Sequence, residues 1–315
     1  MKYKYPALAI LALGLSIGNA QAQSEPSKPN YEKKVYLNDG KTYVQKSLPV
    51  YLKFSVTPDG TNYPLKSNAH PTDANPLYLD TEGVNYIRSR WAVDPETGKP
   101  VSPQREVQME LYADGLAPVT TLKFAGAPKY VSGGTTFFGK GLSFTLTPRD
   151  GVSGVMETKY ALGSGYTNYG SAVNAGTEGA QTVYYYSADN VGNAEETKSN
   201  AFTVDLTAPT SSHEIVGIVY NGNILSPSTT FKLTTNDNLS GVRSVKYSFD
   251  GGSDRGYSPN IGMAGLGDGE HTLYYYATDN VSNVATKQSV QFYLDLIPPV
   301  ADIQVNGDQY KGRYL

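Results

Sequence analysis

Two sets of three aspartates are the residues of this chain best suited to chemistry. In each set one aspartate opens a linker that ends in Ala-Pro, one opens the pattern Asp-x-x-Ser-Gly, and one opens the pattern Asp-Asn-Val-x-Asn. Ca²⁺ binds six to eight carboxylate, amide and carbonyl oxygens, which these patterns supply. The predicted calcium ligands are Asp114, Asp150 and Asp189 in the first set, and Asp205, Asp237 and Asp279 in the second.

The same residue types also form tight turns without any metal. Asp and Asn side chains accept hydrogen bonds from the backbone two residues further on, and Gly adopts positive φ. Neither set contains a dense acidic run such as Asp-x-Asp-x-Asp. Turn formation alone therefore remains open beside calcium binding.

The two sets belong to tandem copies of one sequence unit. The stretch 181–193, Gln-Thr-Val-Tyr-Tyr-Tyr-Ser-Ala-Asp-Asn-Val-Gly-Asn, returns at 271–283 as His-Thr-Leu-Tyr-Tyr-Tyr-Ala-Thr-Asp-Asn-Val-Ser-Asn. A period of about ninety residues indicates repeated copies of one folding unit. A more diverged copy precedes these two, and a fourth begins at Pro299.

The elements that must position the aspartates are short β-strands. Segments such as Leu142–Leu146 alternate in hydrophobicity and are broken by Gly, Asn, Asp and Pro, as in an all-β domain. The predicted fold is all-β, with tandem immunoglobulin-like β-sandwich domains arranged end to end. In such a sandwich the loops that start at Asp150 and Asp189 lie at one end, where the linker from Asp114 enters. The three carboxylates of a set are therefore expected to meet.

The repeats predict the domain boundaries. The predicted divisions are a signal peptide at 1–22, a flexible N terminus at 23–30, a diverged domain at 31–116 with an insertion at 66–80, repeats at 117–206 and 207–297, and the start of a truncated repeat at 298–315.

Tyrosines and prolines are expected to have structural roles. Tyr185 and Tyr275 could form the hydrogen-bonded tyrosine corner of immunoglobulin-like sandwiches, or could simply pack across strands. A row of exposed tyrosines that binds sugar or protein is a third reading. Pro118, Pro209 and Pro299 fix φ at the linkers and predict short, stiff joints.

The N terminus predicts export. Lys2 and Lys4 precede the apolar run Leu8–Ile17, and Ala20-Gln21-Ala22 is a cleavage site, so residues 1–22 have the form of a secretory signal. Its removal changes the net charge from −3 to −5 (−3 − 2), which does not favour a nucleic-acid partner. No transmembrane segment is expected after cleavage, and with no Cys the fold cannot depend on disulfides.

Catalysis finds little support in the residues. The histidines His70, His213 and His271 are scattered, and there is no Cys nucleophile, P-loop or G-x-S-x-G elbow. His271 is expected to be a surface residue, and the acidic pair Glu195-Glu196 to be solvated on an edge strand. The chain is predicted not to be an enzyme.

The combined pattern of Asp-x-x-Ser-Gly-Val, Tyr-Tyr-x-x-Asp-Asn-x-x-Asn and Val-Asp-x-x-Ala-Pro resembles bacterial immunoglobulin-like repeats of exported Gram-negative proteins, including those termed OmpL-type β-barrel domains. The resemblance covers 117–297 well and 31–116 loosely. It implies a stalk, spacer or adhesive module in the periplasm, on the outer membrane or outside the cell. Thr, Ser and Lys on the outward strand faces favour sandwiches over a membrane barrel.

Two functions follow as expectations. The first is a non-catalytic spacer or stalk at the cell surface or outer membrane. The alternative is an adhesin or carbohydrate-binding module that uses the 66–80 loop or exposed tyrosines to bind a protein or glycan. The first copy also contains the lone tryptophan, Trp91.

Overall fold

Every regular element in the described part of the chain is a β-strand, which confirms the all-β prediction. The computed structural model describes residues 24–51, 53–54, 63–64, 76–89 and 107–300. In the first copy the strands are β1 Val35–Asn38, β2 Lys41–Gln45, β3 Lys53–Phe54, β4 Tyr63–Pro64, β5 Gly83–Ser89 and β6 Val107–Asp114. In the second copy they are β7 Val119–Ala125, β8 Lys129–Ser132, β9 Thr135–Phe138, β10 Ser143–Arg149, β11 Val155–Ala161, β12 Thr167–Asn168, β13 Val173–Asn174, β14 Gly179–Asp189 and β15 Lys198–Val204. In the third they are β16 Thr210–Val216, β17 Val219–Tyr220, β18 Ile224–Leu225, β19 Thr230–Asn236, β20 Val242–Phe249, β21 Arg255–Gly256, β22 Ile261–Gly262, β23 Gly269–Asp279 and β24 Gln288–Leu294.

The third copy is a two-sheet sandwich. One sheet has the order β16-β19-β22 and the other has the order β17-β18-β24-β23-β20-β21. Alternate residues of β19, β23 and β24 point inward, and Phe231, Leu273 and Phe292 lie in the core between the sheets. The alternation of apolar and polar residues along each strand thus produces one buried face.

The second copy repeats this arrangement. Its smaller sheet has the order β13-β10-β7, and the larger sheet contains β12, β11, β14 and β15 in that order. The strand β9 pairs in parallel with the end of β15, as β18 does with the end of β24. Leu142, Phe144 and Leu146 are buried, as their alternation predicts. The first copy contains the sheet β1-β2-β6-β5 and the pair β3-β4. The chain is therefore a tandem series of β-sandwich repeats.

By its contacts the chain divides into two compact units. The first comprises Met1–Phe124, Phe144–Ala175 and Ala180–Phe202, and the second comprises Ala125–Ser143, Gly176–Gly179 and Thr203–Leu315. The boundaries inferred from the sequence repeats remain predictions.

Several predicted features lie outside the described residues. These are the signal peptide at 1–22, Trp91, residues 66–75 of the insertion and residues 301–315. No helix long and apolar enough to cross a membrane occurs in the part of the chain that the structure describes.

Tyr186 departs from the predicted alternation of β14. Alternation places Tyr184 and Tyr186 on the face opposite Tyr185, yet both Tyr185 and Tyr186 are buried. The ring of Tyr166 stands edge-on to Tyr186 at 4.8 Å between centroids, and Tyr31 packs against it at 6.1 Å. The N-terminal segment therefore covers one face of β14 while the core covers the other.

Two predictions about polar residues are corrected. Glu195 is not solvated on an edge strand: it lies before β15 and is 7% exposed. His271 is not a simple surface residue, since its side chain is 14% exposed. Its ring packs on Phe292, and its Nδ1 lies 2.7 Å from Oδ2 of Asp250. Both side chains are held by specific partners that their sequence neighbourhood does not reveal.

Candidate site at the clustered aspartates

The structure brings each predicted set of aspartates together. In both sets, one carboxylate oxygen from each of the three residues lies within 4.8 Å of the other two. The first set joins Asp114 at the end of β6, Asp150 after β10 and Asp189 at the end of β14. Because β10 and β14 both end at the side where the linker enters β7, the sandwich topology itself produces the cluster.

The linker aspartate of the first cluster bonds to both loops of the next repeat. Asp114 is 1% exposed, and its Oδ2 accepts a hydrogen bond of 2.9 Å from the amide of Ser153. The side-chain amide of Asn193 donates to the main-chain oxygen of Asp114 at 3.2 Å. A residue of the preceding copy is thereby tied to two loops of the following one.

The second cluster has the same contacts. Asp205 is fully buried, and its Oδ2 accepts a hydrogen bond of 2.9 Å from the amide of Ser240. Asn283 donates to the main-chain oxygen of Asp205 at 2.9 Å. We call this arrangement the aspartate clasp: a linker aspartate bound by a serine amide and an asparagine side chain of the next repeat.

The second aspartate of each set shapes its own loop. Oδ1 of Asp150 accepts hydrogen bonds from Val152 and Gly154, the latter at 2.7 Å. Oδ1 of Asp237 does the same with Leu239 and Gly241. Both glycines have φ near +80°, which a residue with a Cβ rarely adopts. This is the turn chemistry that the sequence left open.

The third aspartate is buried and strongly hydrogen-bonded. Oδ1 of Asp279 accepts from the amides of Val281 and Asn283, and its Oδ2 accepts from the Asn283 side chain at 2.7 Å. Asp189 accepts the equivalent hydrogen bonds from Val191 and Asn193 in the first cluster. Burial raises the pKa of Asp189 and of Asp279, and the nearby Asp114 and Asp205 carboxylates add to the rise. The hydrogen bonds to each carboxylate oppose it.

Three buried polar atoms in these loops have no hydrogen-bond partner among the described residues. They are Oδ2 of Asp237, Oγ of Ser153 and Oγ of Ser240. Ser153 and Ser240 occupy the same position in successive repeats, so the feature recurs. An unpartnered buried polar atom costs about 1–3 kcal/mol, which an added ligand can offset.

The donor set suits a hard cation as well as a turn. Each cluster offers three carboxylates, which are the oxygen donors that Ca²⁺ takes. The asparagine of each cluster presents its Nδ2, which donates to the main-chain oxygen of the linker aspartate. Backbone amides already hold one or both oxygens of every carboxylate. Turn formation therefore accounts for most of the geometry, but it leaves the two serine hydroxyls and one carboxylate oxygen, Oδ2 of Asp237, without a partner among the described residues.

The predicted structural residues lie at defined places. Tyr185 and Tyr275 are buried, and their hydroxyls contact the side chains of Asn200 at 3.3 Å and His213 at 3.0 Å. These partners are side chains, whereas a tyrosine corner requires a backbone group. Pro118, Pro209 and Pro299 lie in segments without regular structure, the first two directly before β7 and β16.

The surfaces suggested for binding are only partly described. Of the 66–80 insertion the structure describes 76–80, where Tyr78 is 62% exposed. Tyr51 and Tyr86, in the first copy, and Tyr220, in the third, are also exposed. Tyrosine-mediated binding remains a prediction.

Sequence reasoning missed a buried polar network in the second copy. Glu195 accepts hydrogen bonds from the amides of Thr120 at 3.1 Å and Ser187 at 2.9 Å, and pairs with Lys198 at 2.7 Å. The hydroxyl of Ser187 also contacts those of Thr120 and Thr158. Two features of the sequence could have indicated this network. Lys198 lies three residues after Glu195, and the third copy has Ala285 at the position of Glu195, so the glutamate is particular to the second copy.

No protein-family model matches the chain, and no curated protein matches it. A solved structure of Clostridium thermocellum CbhA fibronectin(III)-like modules is similar at 13% identity and a TM-score of 0.32, over 59% of this chain and 100% of that one. The fold is established by the strand pairing of the sheets described above.

Proposed function

We propose that this chain is an exported, non-catalytic spacer built from immunoglobulin-like repeats of the OmpL type. It holds groups apart at the cell surface or outer membrane. The clasp residues, a linker aspartate with the serine and asparagine that bind it, recur unchanged between the second and third copies, and they join one repeat to the next. This pattern suits a protein whose task is mechanical.

The aspartate clasp is the observation that carries this proposal. Domains joined by a plain linker move freely by default, so a spacer needs contacts that fix the linker. Asp114 and Asp205 provide them, because each is buried and bound by the repeat that follows. The proline in each linker adds stiffness by fixing φ.

A spin-label distance measurement tests the joint between the first two copies. The chain has no native Cys, so Asn38→Cys and Ser171→Cys, at exposed positions, place two unique labels. We expect one narrow distance distribution, which broadens when Asp114→Ala is added. Glu196→Ala, at an exposed position, is the control and leaves it narrow. A broad distribution in the doubly labelled parent contradicts the spacer.

The binding alternative is tested separately. We expect the chain without residues 1–22 to give no signal on glycan and extracellular-matrix arrays. Saturable binding that is lost with Tyr78→Ala, whose side chain is exposed, would instead assign the chain to the adhesins.

We further propose that Ca²⁺ binds the aspartate clusters and stiffens the joints. The observation in favour is the buried, unpartnered Oδ2 of Asp237 in a cluster of three carboxylates. A divalent cation would satisfy that oxygen and neutralise the mutual repulsion of the carboxylates.

Calorimetric titration of Ca²⁺ into chelator-treated protein tests whether the clusters bind calcium. We expect saturable heat, a higher Tm with Ca²⁺ than with EGTA, and weaker binding in Asp237→Asn. Asp80→Asn, at an exposed position, should bind like the parent. Absence of heat and identical melting curves would leave the clusters as turns alone, with the spacer proposal unaffected.

A further inference from the structure

The far end of the third repeat carries an unusually apolar surface. Ile218, Tyr220 and Ile297 are 68%, 66% and 69% exposed. Together with Pro227 and Leu296 they line a cavity of about 390 Å³. Exposed apolar clusters of this kind mark interaction sites more often than scattered single residues do.

The equivalent surface of the second repeat is covered. There Pro128, Lys140 and Leu206 line a cavity of about 320 Å³ whose other wall is the loop Val281–Val284 of the third repeat. Aligning the copies places Leu296 at the position of Leu206 and Pro227 at that of Lys140. In the second repeat this surface is covered by a loop of the next repeat. In the third repeat the equivalent surface is open.

The contact in the covered case is direct. A Cβ on Gly139 would lie 2.5 Å from the main-chain oxygen of Val281. The third repeat has Ser226 at this position, so a loop arriving there must stand further off than Val281 does. The two surfaces share the leucine that follows the linker aspartate, Leu206 in one and Leu296 in the other, but not this closest contact.

Asp295 makes the same hydrogen bonds within its own repeat as the clasp residue Asp205 does. Its Oδ1 accepts a hydrogen bond from Ile297 at 3.0 Å, as Oδ1 of Asp205 accepts from Thr207 at 3.2 Å. Its amide donates to Leu225 at 3.0 Å, as that of Asp205 donates to Phe138 at 2.9 Å. Asp205 is nevertheless buried, whereas Asp295 is exposed. The aspartate is already in its clasp conformation, and what differs is the covering module.

We propose that this surface is a docking site for a further immunoglobulin-like module of the same repeat type, joined after Pro299. The module's Asp-x-x-Ser-Gly loop donates its serine amide to Oδ2 of Asp295. The asparagine of its Asp-Asn-Val-x-Asn loop donates to the main-chain oxygen of Asp295, and the valine covers Leu296 and Pro227. These are the contacts that Ser240, Asn283 and Val281 make at the preceding joint.

An extended chain tests this directly. A copy of residues 210–299 is placed after Pro299, and amide hydrogen exchange is measured at the added serine that corresponds to Ser240. We expect this amide to exchange on the order of 100-fold more slowly than in the same extended chain with Asp295→Ala, because the clasp protects it. Leu296→Asp should also speed exchange, and Val131→Asp, an exposed valine elsewhere, should not. Ser226→Gly is expected to slow exchange further.

The native joint provides the internal reference. Equal exchange of the added serine with and without Asp295, while Ser240 stays protected, overturns the docking proposal and leaves the spacer standing. Loss of protection at Ser240 itself would overturn both.

Discussion

The amide of Ser240 donates a hydrogen bond of 2.9 Å to Oδ2 of Asp205, and Ser153 bears the same relation to Asp114, also at 2.9 Å. The bonded residues are 35 apart in one case and 39 in the other. The difference arises in the hairpin between them, since β8 and β9 are longer than β17 and β18. The clasp is therefore set by the loops and the linker and does not depend on the hairpin between them.

Replacing Asp205 with Ala should destabilise the third repeat. The change leaves the buried amide of Ser240 without its acceptor and removes the bond from Thr207. An unsatisfied buried amide costs about 1–3 kcal/mol, so a loss of that size is expected in urea unfolding. Asp80→Ala, at an exposed position, should stay within about 0.5 kcal/mol of the parent. Equal losses in both variants would show that the clasp does not contribute.

The pKa of the clustered Asp279 should be raised in metal-free protein. Burial raises the pKa of Asp279, whereas hydrogen bonds from His271 and Thr272 outweigh burial and hold the pKa of Asp250 below its usual range. Because the folded-state pKa of Asp279 exceeds the unfolded value, its stabilising contribution is present below an unfolded pKa of about 3.9 and is lost as pH rises through the folded pKa. Carbon-detected NMR titration in EGTA should give a higher pKa for Asp279 than for Asp250. The reverse order would contradict this account of the cluster.

His271 should make stability depend on pH near neutrality. Hydrogen bonds to Asp250 and to the main-chain oxygen of Gly267 raise the pKa of His271. Its stabilising contribution is present below the unfolded pKa of about 6.5 and is lost as pH rises through the folded value. His271→Gln, which installs the residue found at position 181, should therefore cost more at pH 5.5 than at pH 9, by about 0.5 kcal/mol. A cost that does not vary with pH would mean that the charge on the ring is irrelevant.

Glu195 should be essential to the second repeat although it has no counterpart in the third. Glu195→Ala strands the buried amides of Thr120 and Ser187 and leaves Lys198 without its carboxylate. The expected loss is about 2–4 kcal/mol in thermal or urea unfolding. Glu196→Ala is the matched control, because this neighbour is exposed and should change stability by less than about 0.5 kcal/mol. Similar losses from both would return Glu195 to the solvated role that the sequence suggests.

The sequence predicts the fold and the meeting of the aspartates for the same reason. Alternation and turn residues define strands, and the sandwich topology then fixes which loops share an end, so Asp114, Asp150 and Asp189 are brought together. The same pattern in the third copy predicts a second cluster, and the structure contains it.

What the sequence does not predict depends on contacts between distant segments. Tyr186 is buried because Tyr166 and Tyr31, the latter 155 residues earlier, pack against its ring. The alternation of apolar and polar residues along a strand does not predict which distant segment will pack on its outer face. Glu195 likewise looks like a surface residue until its partner Thr120 is known.

Amide hydrogen exchange at Ser153 and Ser240 tests the aspartate clasp most directly. The account predicts that both amides are strongly protected in the parent chain, that Asp114→Ala exposes Ser153 alone, and that Asp205→Ala exposes Ser240 alone. Rapid exchange at both serines in the parent, or protection that survives removal of the aspartates, would contradict it.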